Sequence, residues 1–284
     1  GEVARSSNGG VAYNIGTLLA LDKAVSLAVV YRNYQRDFHG LVSTGFAEGS
    51  SPWNERGIYT GIEIKPSREW LVNAYFDRFS FPWLRYLTDA PSDGYEALAQ
   101  VTWRPSRKTE LYVRARYQDK AKNTAEDIEG IDFLVRTEQT NYRFNASYRV
   151  TDAVSLRTRV EAINYQRGEE PLQHGFLIYQ DFVSRPLRST FEYTLRVALF
   201  DTDNYDTRVY AFENDIIGLF SIPPYYGRGM RWYAMVRATP LRRVDIWLRY
   251  GAWLYNDQDS YSSGLQEING SVRSEVKMQV RVMF

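Results

Sequence analysis

Hydrophobic and polar residues alternate with a period of two along most of this chain. The pattern is cleanest in the final segment, VRSEVKMQVRVMF (272–284). There Val272, Val276, Met278, Val280, Val282 and Phe284 share one parity, broken only by Ser274, and Arg273, Glu275, Lys277, Gln279 and Arg281 share the other. Successive side chains of a strand point to opposite faces, so the segment has one apolar and one charged face. The alternation recurs in LYVRARYQ (111–118), YRFNASYRV (142–150), VSLRTRVEA (154–162), MRWYAMVRA (230–238) and VDIWLRYGAWL (244–254). Weaker versions fall near 11–20, 24–34, 56–65, 69–79, 94–104, 175–184 and 189–200. No segment sustains a helical period, and the regular strand spacing predicts an all-β, antiparallel up-and-down meander.

The connections sort by length. Short ones are LDK near 21–23, PSR at 66–68, PSRK at 105–108, TDA at 151–153, RPL at 185–187 and TPLRR at 239–243. Long ones are 35–55, 80–93, 119–138, 201–229 and 255–271, with 167–174 intermediate. Short periplasmic turns alternating with long extracellular loops mark a transmembrane β-barrel, whereas a Greek-key sandwich has no reason to sort its loops. The expected fold is therefore a single barrel region, 1–284, of about 13–14 strands. Segment 201–229 is read as an extracellular excursion, a hairpin projecting above the rim. With Phe284 at the periplasmic end, segment 11–20 descends from outside and the clear strands number about thirteen, whereas bacterial barrels have even counts. The chain thus reads as part of a larger barrel, with at least one ascending strand expected before Gly1. Segment 11–20 would otherwise leave an open edge in hydrocarbon, to be covered by upstream strands or by another subunit.

Composition sharpens this picture. The chain has 22 Tyr, 7 Trp and 14 Phe, 15% aromatic in all, as suits the aromatic girdles at the two membrane interfaces. Mean hydropathy is that of a water-soluble protein, which a barrel with a polar lumen also shows. No apolar run approaches the roughly 18 residues of a transmembrane helix. A net charge of +1 gives no global field toward nucleic acid or an acidic partner. The absence of cysteine excludes disulfides and thiolate metal sites. The opening GEVARSSNGG has no apolar signal core.

The amphipathic last strand with its terminal Phe284 resembles the closing strand of bacterial outer-membrane β-barrels. That resemblance implies outer-membrane lipid as surroundings and recognition of Phe284 by the barrel-insertion machinery. Two further stretches resemble a family of long outer-membrane proteins of Bacteroidota. They are GFAEGSSPWNERGIYTGIEIKPSREWLVNAYFDRFSFPWLRYLTDAPSDGYE (45–96) and FDTDNYDTRVYAFENDIIGLFSIPPYYGRGMRWY (200–233). Members of that family commonly carry a helix-hairpin-helix region ahead of a large barrel. The resemblance implies location and architecture, not a reaction. No helix-hairpin-helix region lies in these residues, so the nucleic-acid role it suggests does not carry onto them.

With the apolar parity toward lipid, the inward set is strongly basic: Arg114, Arg116, Arg143, Arg149, Arg157, Arg159, Arg196, Arg231, Arg237, Arg249, Arg273, Lys277 and Arg281. Inward acids are fewer: Glu63, Asp77, Glu96, Glu161, Glu192, Asp245 and Glu275. The reverse orientation would cost about 2–4 kcal/mol for each Arg or Lys at the midplane. Such a lumen either lines an anion-preferring pore or forms an arginine–carboxylate network that closes the interior, and the closed reading is preferred.

Other chemistry is sparse. Asp201, Asp203 and Asp206, with Asp215 beyond, offer hard oxygen ligands for Ca²⁺, but the spacing departs from the EF-hand loop and a solvated acidic loop is the preferred reading. No cofactor is expected. Neither His39, with Ser43, Ser50 and Ser51 nearby, nor His174, which follows Glu169 and Glu170, is framed by a nucleophile motif, and no enzyme is expected. Trp53, Trp83, Tyr86, Tyr225 and Tyr226, with Arg56, Arg85 or Arg228 nearby, are expected to dock partner envelope proteins or to pack over the mouth. The leading expectation is a non-enzymatic structural or accessory subunit of an envelope assembly. The alternative is a channel for anionic or polar solutes, extending to nucleic-acid uptake if the family's upstream region is present.

Overall fold

The structure, a computed structural model, describes residues 1–40, 44–124, 133–261 and 264–284. Its strands in chain order begin with β1 (Glu2–Arg5), β2 (Val11–Asp22), β3 (Val25–Tyr34), β4 (Glu55–Ile64), β5 (Trp70–Phe81) and β6 (Ser92–Ser106). There follow β7 (Thr109–Asn123), β8 (Leu134–Arg149), β9 (Val154–Arg167), β10 (Gln173–Ser184), β11 (Phe191–Thr202), β12 (Val209–Tyr210) and β13 (Pro224–Tyr225). The series ends with β14 (Arg228–Leu241), β15 (Val244–Tyr255), β16 (Ser260–Tyr261), β17 (Ile268–Asn269) and β18 (Val272–Val282). Fourteen of these form one sheet in the order β1 to β11, β14, β15, β18, while β12–β13 and β16–β17 are two-residue ladders within connections. Each strand of the large sheet lies beside its predecessor in that order, as an up-and-down meander requires.

The strand absent from the sequence reading is β1. Glu2 to Arg5 pair with Asn14 back to Val11 through a turn in which Ser6 N–H donates to Gly10 O at 2.9 Å and Gly9 takes φ of 96°. Part of the edge expected to be open at 11–20 is therefore covered by the chain's own N-terminal residues. Four residues of alternation are too few to register as a strand, and the SSNGG turn masks them. Strands also run further into the expected loop 119–138: β7 continues to Asn123, and β8 begins at Leu134. Asp119, Ala121 and Asn123 are all buried although they share the parity of exposed Val113, so beyond Gln118 this row of β7 is covered by other parts of the chain and no longer presents apolar residues outward. Residues 125–132 of that loop, Ser43, and residues 262–263 lie outside the described residues.

The chain divides into two compact units. Unit 1 comprises Gly1–Trp103, Arg114–Asn141 and Tyr165–Leu172; unit 2 comprises Arg104–Val113, Tyr142–Asn164 and Gln173–Phe284. Both invert the burial pattern of a water-soluble protein. In unit 2, Leu195, Val197 and Leu199 of β11 are 45, 51 and 51% exposed, whereas the intervening Thr194, Arg196 and Ala198 are 4, 1 and 1% exposed. On β18, Val276 and Met278 are exposed while Lys277 and Arg281 reach buried carboxylates on the other face. In unit 1, Phe76 is exposed beside buried Asp77 on β5. Apolar side chains outward cost nothing in hydrocarbon, and guanidinium groups inward escape it. Trp70 and Trp103, directly paired across β5 and β6 near the short turns, stack with ring centres 5.7 Å apart, as girdle residues do.

Candidate functional site

The inward face of unit 2 is occupied by its own connection. Residues 203–227 start with a 3₁₀ turn, Tyr205–Thr207, which Asn204 caps by accepting from the Asp206 amide at 2.9 Å. The turn lies directly on β10: a Cβ at Gly175 would stand 2.2 Å from the Thr207 carbonyl oxygen, so only glycine permits the approach. Beyond it, β12 pairs with β13, and Val209, Ala211 and Tyr225 bury into a cluster with Leu177, Tyr179, Phe200, Trp253 and Tyr255. The connection thus carries a small apolar core of its own on the lumen-facing parity. The hairpin that the alternation placed above the rim folds inward instead, because its apolar and acidic side chains find partners on the sheet.

Below that core the charges meet. Glu213 accepts from Arg231 Nε at 3.1 Å and Nη2 at 3.0 Å, from Tyr225 Oη at 2.8 Å, and from Arg249 Nη2. Arg231 and Arg249 also reach Glu275 Oε1, at 2.8 and 2.7 Å. Lys277 Nζ lies 2.6 Å from Asp215 Oδ2. Arginines bind the connection's backbone as well: Arg196 donates to Phe212 O at 2.7 Å, Arg159 to Tyr210 O at 3.1 Å and Arg249 to Asn214 O at 3.2 Å. Arg196 is held in turn by a fork to Asp181, at 2.5 and 2.7 Å. Arg231, Arg249 and Glu213 are essentially inaccessible to solvent. Burial alone would push the Glu213 carboxyl up; hydrogen bonds from Arg231 and the charges of both arginines outweigh it and hold the group below the usual carboxylate range. Gly251 makes room, since a Cβ there would come within 2.8 Å of Arg231 Nη1.

Unit 1 contains a second such centre. Arg32 on β3 donates Nε to Glu55 at 2.5 Å and its fork to Asp77 at 2.8 and 3.0 Å. Glu55 also accepts the amides of Glu48 and Gly49, at 2.8 and 3.0 Å, which docks the preceding loop onto it. Glu48 pairs with Lys120, yet burial outweighs that partner and raises the Glu48 carboxyl above its ordinary range. Arg85 stacks over Phe81 at 3.7 Å, and burial lowers its affinity for the proton. Here too a glycine clears the guanidinium: a Cβ at Gly57 would stand 2.5 Å from Arg32 Cζ.

Most of the basic residues expected in the lumen are brought to carboxylates. Arg116 meets Glu96 at 2.5 Å, Arg143 meets Glu161 at 2.9 Å, and Arg159 shares Glu161. Arg237 bridges Glu192 and Asp245 at 2.7 and 3.0 Å, and Arg281 joins Asp245. Arg114 donates to Gln100 at 2.7 Å. Arg273 is half-buried on the inward parity of β18. Arg149 and Arg157 differ: they are exposed and line an open recess. Arg32, Glu55, Asp181 and the inward role of Glu213 escaped the sequence reading. The signal for Arg32 was its parity with Tyr34 in a weakly alternating strand; for Glu213 there was none.

Among the loop aromatics, Trp53, Trp83 and Tyr86 are exposed, at 42, 49 and 90%. Trp83 carries Arg36 over its ring at 4.7 Å. Tyr226 packs edge-on against Tyr205 at 5.2 Å. Tyr225 cannot present itself to a partner, for it is fully buried with its hydroxyl on Glu213. The acidic run is occupied in other ways: Asp201 faces Arg228 at 3.0 Å, and Asp203 accepts the His174 amide at 2.7 Å. Among the described residues no group of three acidic or histidine side chains could hold a metal ion. His174 Nδ1 lies 2.9 Å from Asn164 Oδ1.

No family profile and no curated protein matches the sequence. Solved structures do. The ferric enterobactin receptor PfeA (G324V mutant) from Pseudomonas aeruginosa is similar with TM-score 0.53 and 10% identity, over 88% of this chain and 42% of that one. The FrpB iron transporter from Neisseria meningitidis gives 0.53 and 12%, over 92% and 45%. The ferric-catecholate import receptor Fiu from E. coli K12 gives 0.52 and 9%, over 89% and 54%. The chain therefore spans only about half the length of each of these three proteins. The likeness is one of fold, and it agrees with the meander and the inverted faces: this is an antiparallel β-barrel chain of the bacterial outer membrane.

Proposed function

We propose that this chain is a non-enzymatic wall of an outer-membrane barrel whose inward face is closed by its own connections, serving as a structural or accessory subunit of an envelope assembly. The observation that carries this reading is Glu213, delivered by a connection and buried between Arg231, Arg249 and Tyr225. A charge so placed costs several kcal/mol to desolvate, which its three partners offset only while the connection stays inside. The stretches 45–96 and 200–233 that resemble the Bacteroidota family contain Glu55 and Glu213, the central carboxylates of the two charge centres. Exposed Trp53, Trp83 and Tyr86 are the surfaces for neighbouring envelope proteins, and fully exposed Phe284 suits recognition by the insertion machinery. The second reading, a channel for anionic or polar solutes, draws on the unpaired cations of the recess and on structural neighbours named as receptors and a transporter. Nothing among these residues favours nucleic acid.

Planar-bilayer recording tests the closed reading. The protein should be silent, and deletion of residues 204–226 should produce steady conductance. Anion-selective conductance from the unaltered protein would overturn the closed reading in favour of the channel. Trp83→Cys and Tyr86→Cys give unique crosslinking sites because the chain has no native cysteine. Recovery of one defined envelope protein at both sites is the expected result, and the protein recovered alone would reject the assembly role.

A further inference from the structure

The inward face is neutralised around the two folded connections but not at the short-turn end of unit 2. The turn between β6 and β7 approaches the end of β8, with the Arg149 amide donating to Lys108 O at 2.8 Å. These segments and the start of β9 line a recess of about 420 Å³ containing Arg104, Arg107, Lys108, Arg149 and Arg157 together with serine and threonine hydroxyls. The one carboxylate in the lining, Glu110, is engaged by Arg104 at 2.7 Å. Among the described residues, Arg107, Lys108, Arg149 and Arg157 have no ion-pair partner. Arg116, Arg143, Arg196, Arg231, Arg237 and Arg249 on this face each meet a carboxylate of the chain, so this local excess points to an anion from outside the chain. Arg149 and Arg157 share the parity of Arg143 and Arg159, so the recess opens to the aqueous side of the wall and not to lipid.

We propose that this recess is a binding site for phosphate groups, those of a soluble di- or triphosphate ester being the best fit. Several guanidinium forks can each hold two phosphate oxygens, and the hydroxyls can donate to the remainder. A volume of about 420 Å³ admits more than one phosphate but not a folded macromolecule. The site is independent of whether the barrel conducts, because it is reached from the short-turn end without displacing the buried connection.

Calorimetry on the full chain in neutral detergent, with inorganic pyrophosphate as probe, tests this. Binding should weaken steeply with added salt and fall by about tenfold or more in Arg149→Gln/Arg157→Gln. Both residues are exposed, and the heat-modifiable gel shift of the variant verifies its fold. Glu48→Gln in unit 1 removes a charge outside the recess lining and should leave pyrophosphate binding unchanged, which separates a local site from a general response to altered charge. A parallel arm follows phosphatidylglycerol retained by the protein in native mass spectrometry. Lipid retained by the wild type and lost in the double variant, without pyrophosphate binding, would assign the phosphate to a lipid headgroup. Neither ligand binding, or binding undiminished in the double variant, would overturn the proposal.

Discussion

The two units bury arginines by different means. In unit 1, Arg32 is paired with strand residues, Glu55 on β4 and Asp77 on β5, and the loop contributes only backbone amides, donated to Glu55. In unit 2, Arg231 and Arg249 depend on the connection itself, since Glu213 is their buried carboxylate and Glu275 is partly open, at 32%. The loop of unit 1 is thus a lid over a charge pair that is complete without it. The connection of unit 2 is a component of the charge balance. Removing a lid leaves Arg32 with both of its carboxylates, whereas removing Glu213 leaves two buried guanidinium groups sharing the carboxylate of Glu275.

The largest expected effect tests that difference directly. Glu213→Ala should cost about 3–5 kcal/mol, the usual penalty for breaking a buried pair from one side. Urea unfolding followed by the heat-modifiable gel shift measures it. Equal losses in Glu213→Ala and Glu48→Ala would dissolve the distinction between lid and counter-charge. Next come the two glycines that clear space for a guanidinium. Gly57→Ala and Gly251→Ala should each cost about 1–3 kcal/mol by overpacking, with Arg32 or Arg231 displaced from its carboxylates. Tolerance of both would mean that the arginines can move without loss and that their carboxylate pairing does not hold the sheet's inner face.

Smaller still is Glu48→Gln. The Glu48 carboxyl is held above its ordinary range by burial despite Lys120, so removing its charge should change stability by less than about 1 kcal/mol. A loss as large as that of Glu213→Ala would show that the Glu48–Lys120 pair anchors the loop. The units should also respond to pH with opposite slopes. Glu213 is depressed, so its contribution is complete above the ordinary glutamate range and is lost as pH falls through its folded value. Glu48 is raised, so its contribution is complete below that range and is lost as pH rises through its folded value. Hydrogen exchange at about pH 3 and about pH 7 should therefore find 208–216 less protected in acid and 44–50 no less protected. Parallel loosening of both segments would contradict the assigned shifts.

Alternation along the chain determined the all-β meander, the face each strand turns to lipid and the basic character of the other face. These follow from strand geometry and from the cost of a cation in hydrocarbon, both of which act within a few residues of each position. The pairing of Lys277 and Arg281 with inward carboxylates was legible in that sense: the parity of β18 placed them, though not their partners Asp215 and Asp245. The short β1 and the extension of β7 to Asn123 were not legible, because their ladders rest on backbone pairing without an apolar face.

Only the tertiary structure decided which charges meet. Glu213 reaches Arg249, 36 residues away, because the connection folds onto the inner face. In the sequence it belongs to an acidic run that solvent would suit as well. Tyr225 reads as an exposed loop aromatic and is instead fully buried, since β12 and β13 pair and carry it into the cluster around Phe200. Gly57 and Gly251 read as ordinary strand residues and prove to be the space in which guanidinium groups lie. Local periodicity assigns a side chain to a face. The depth at which it is buried and the charge it meets depend on what another part of the chain lays over that face.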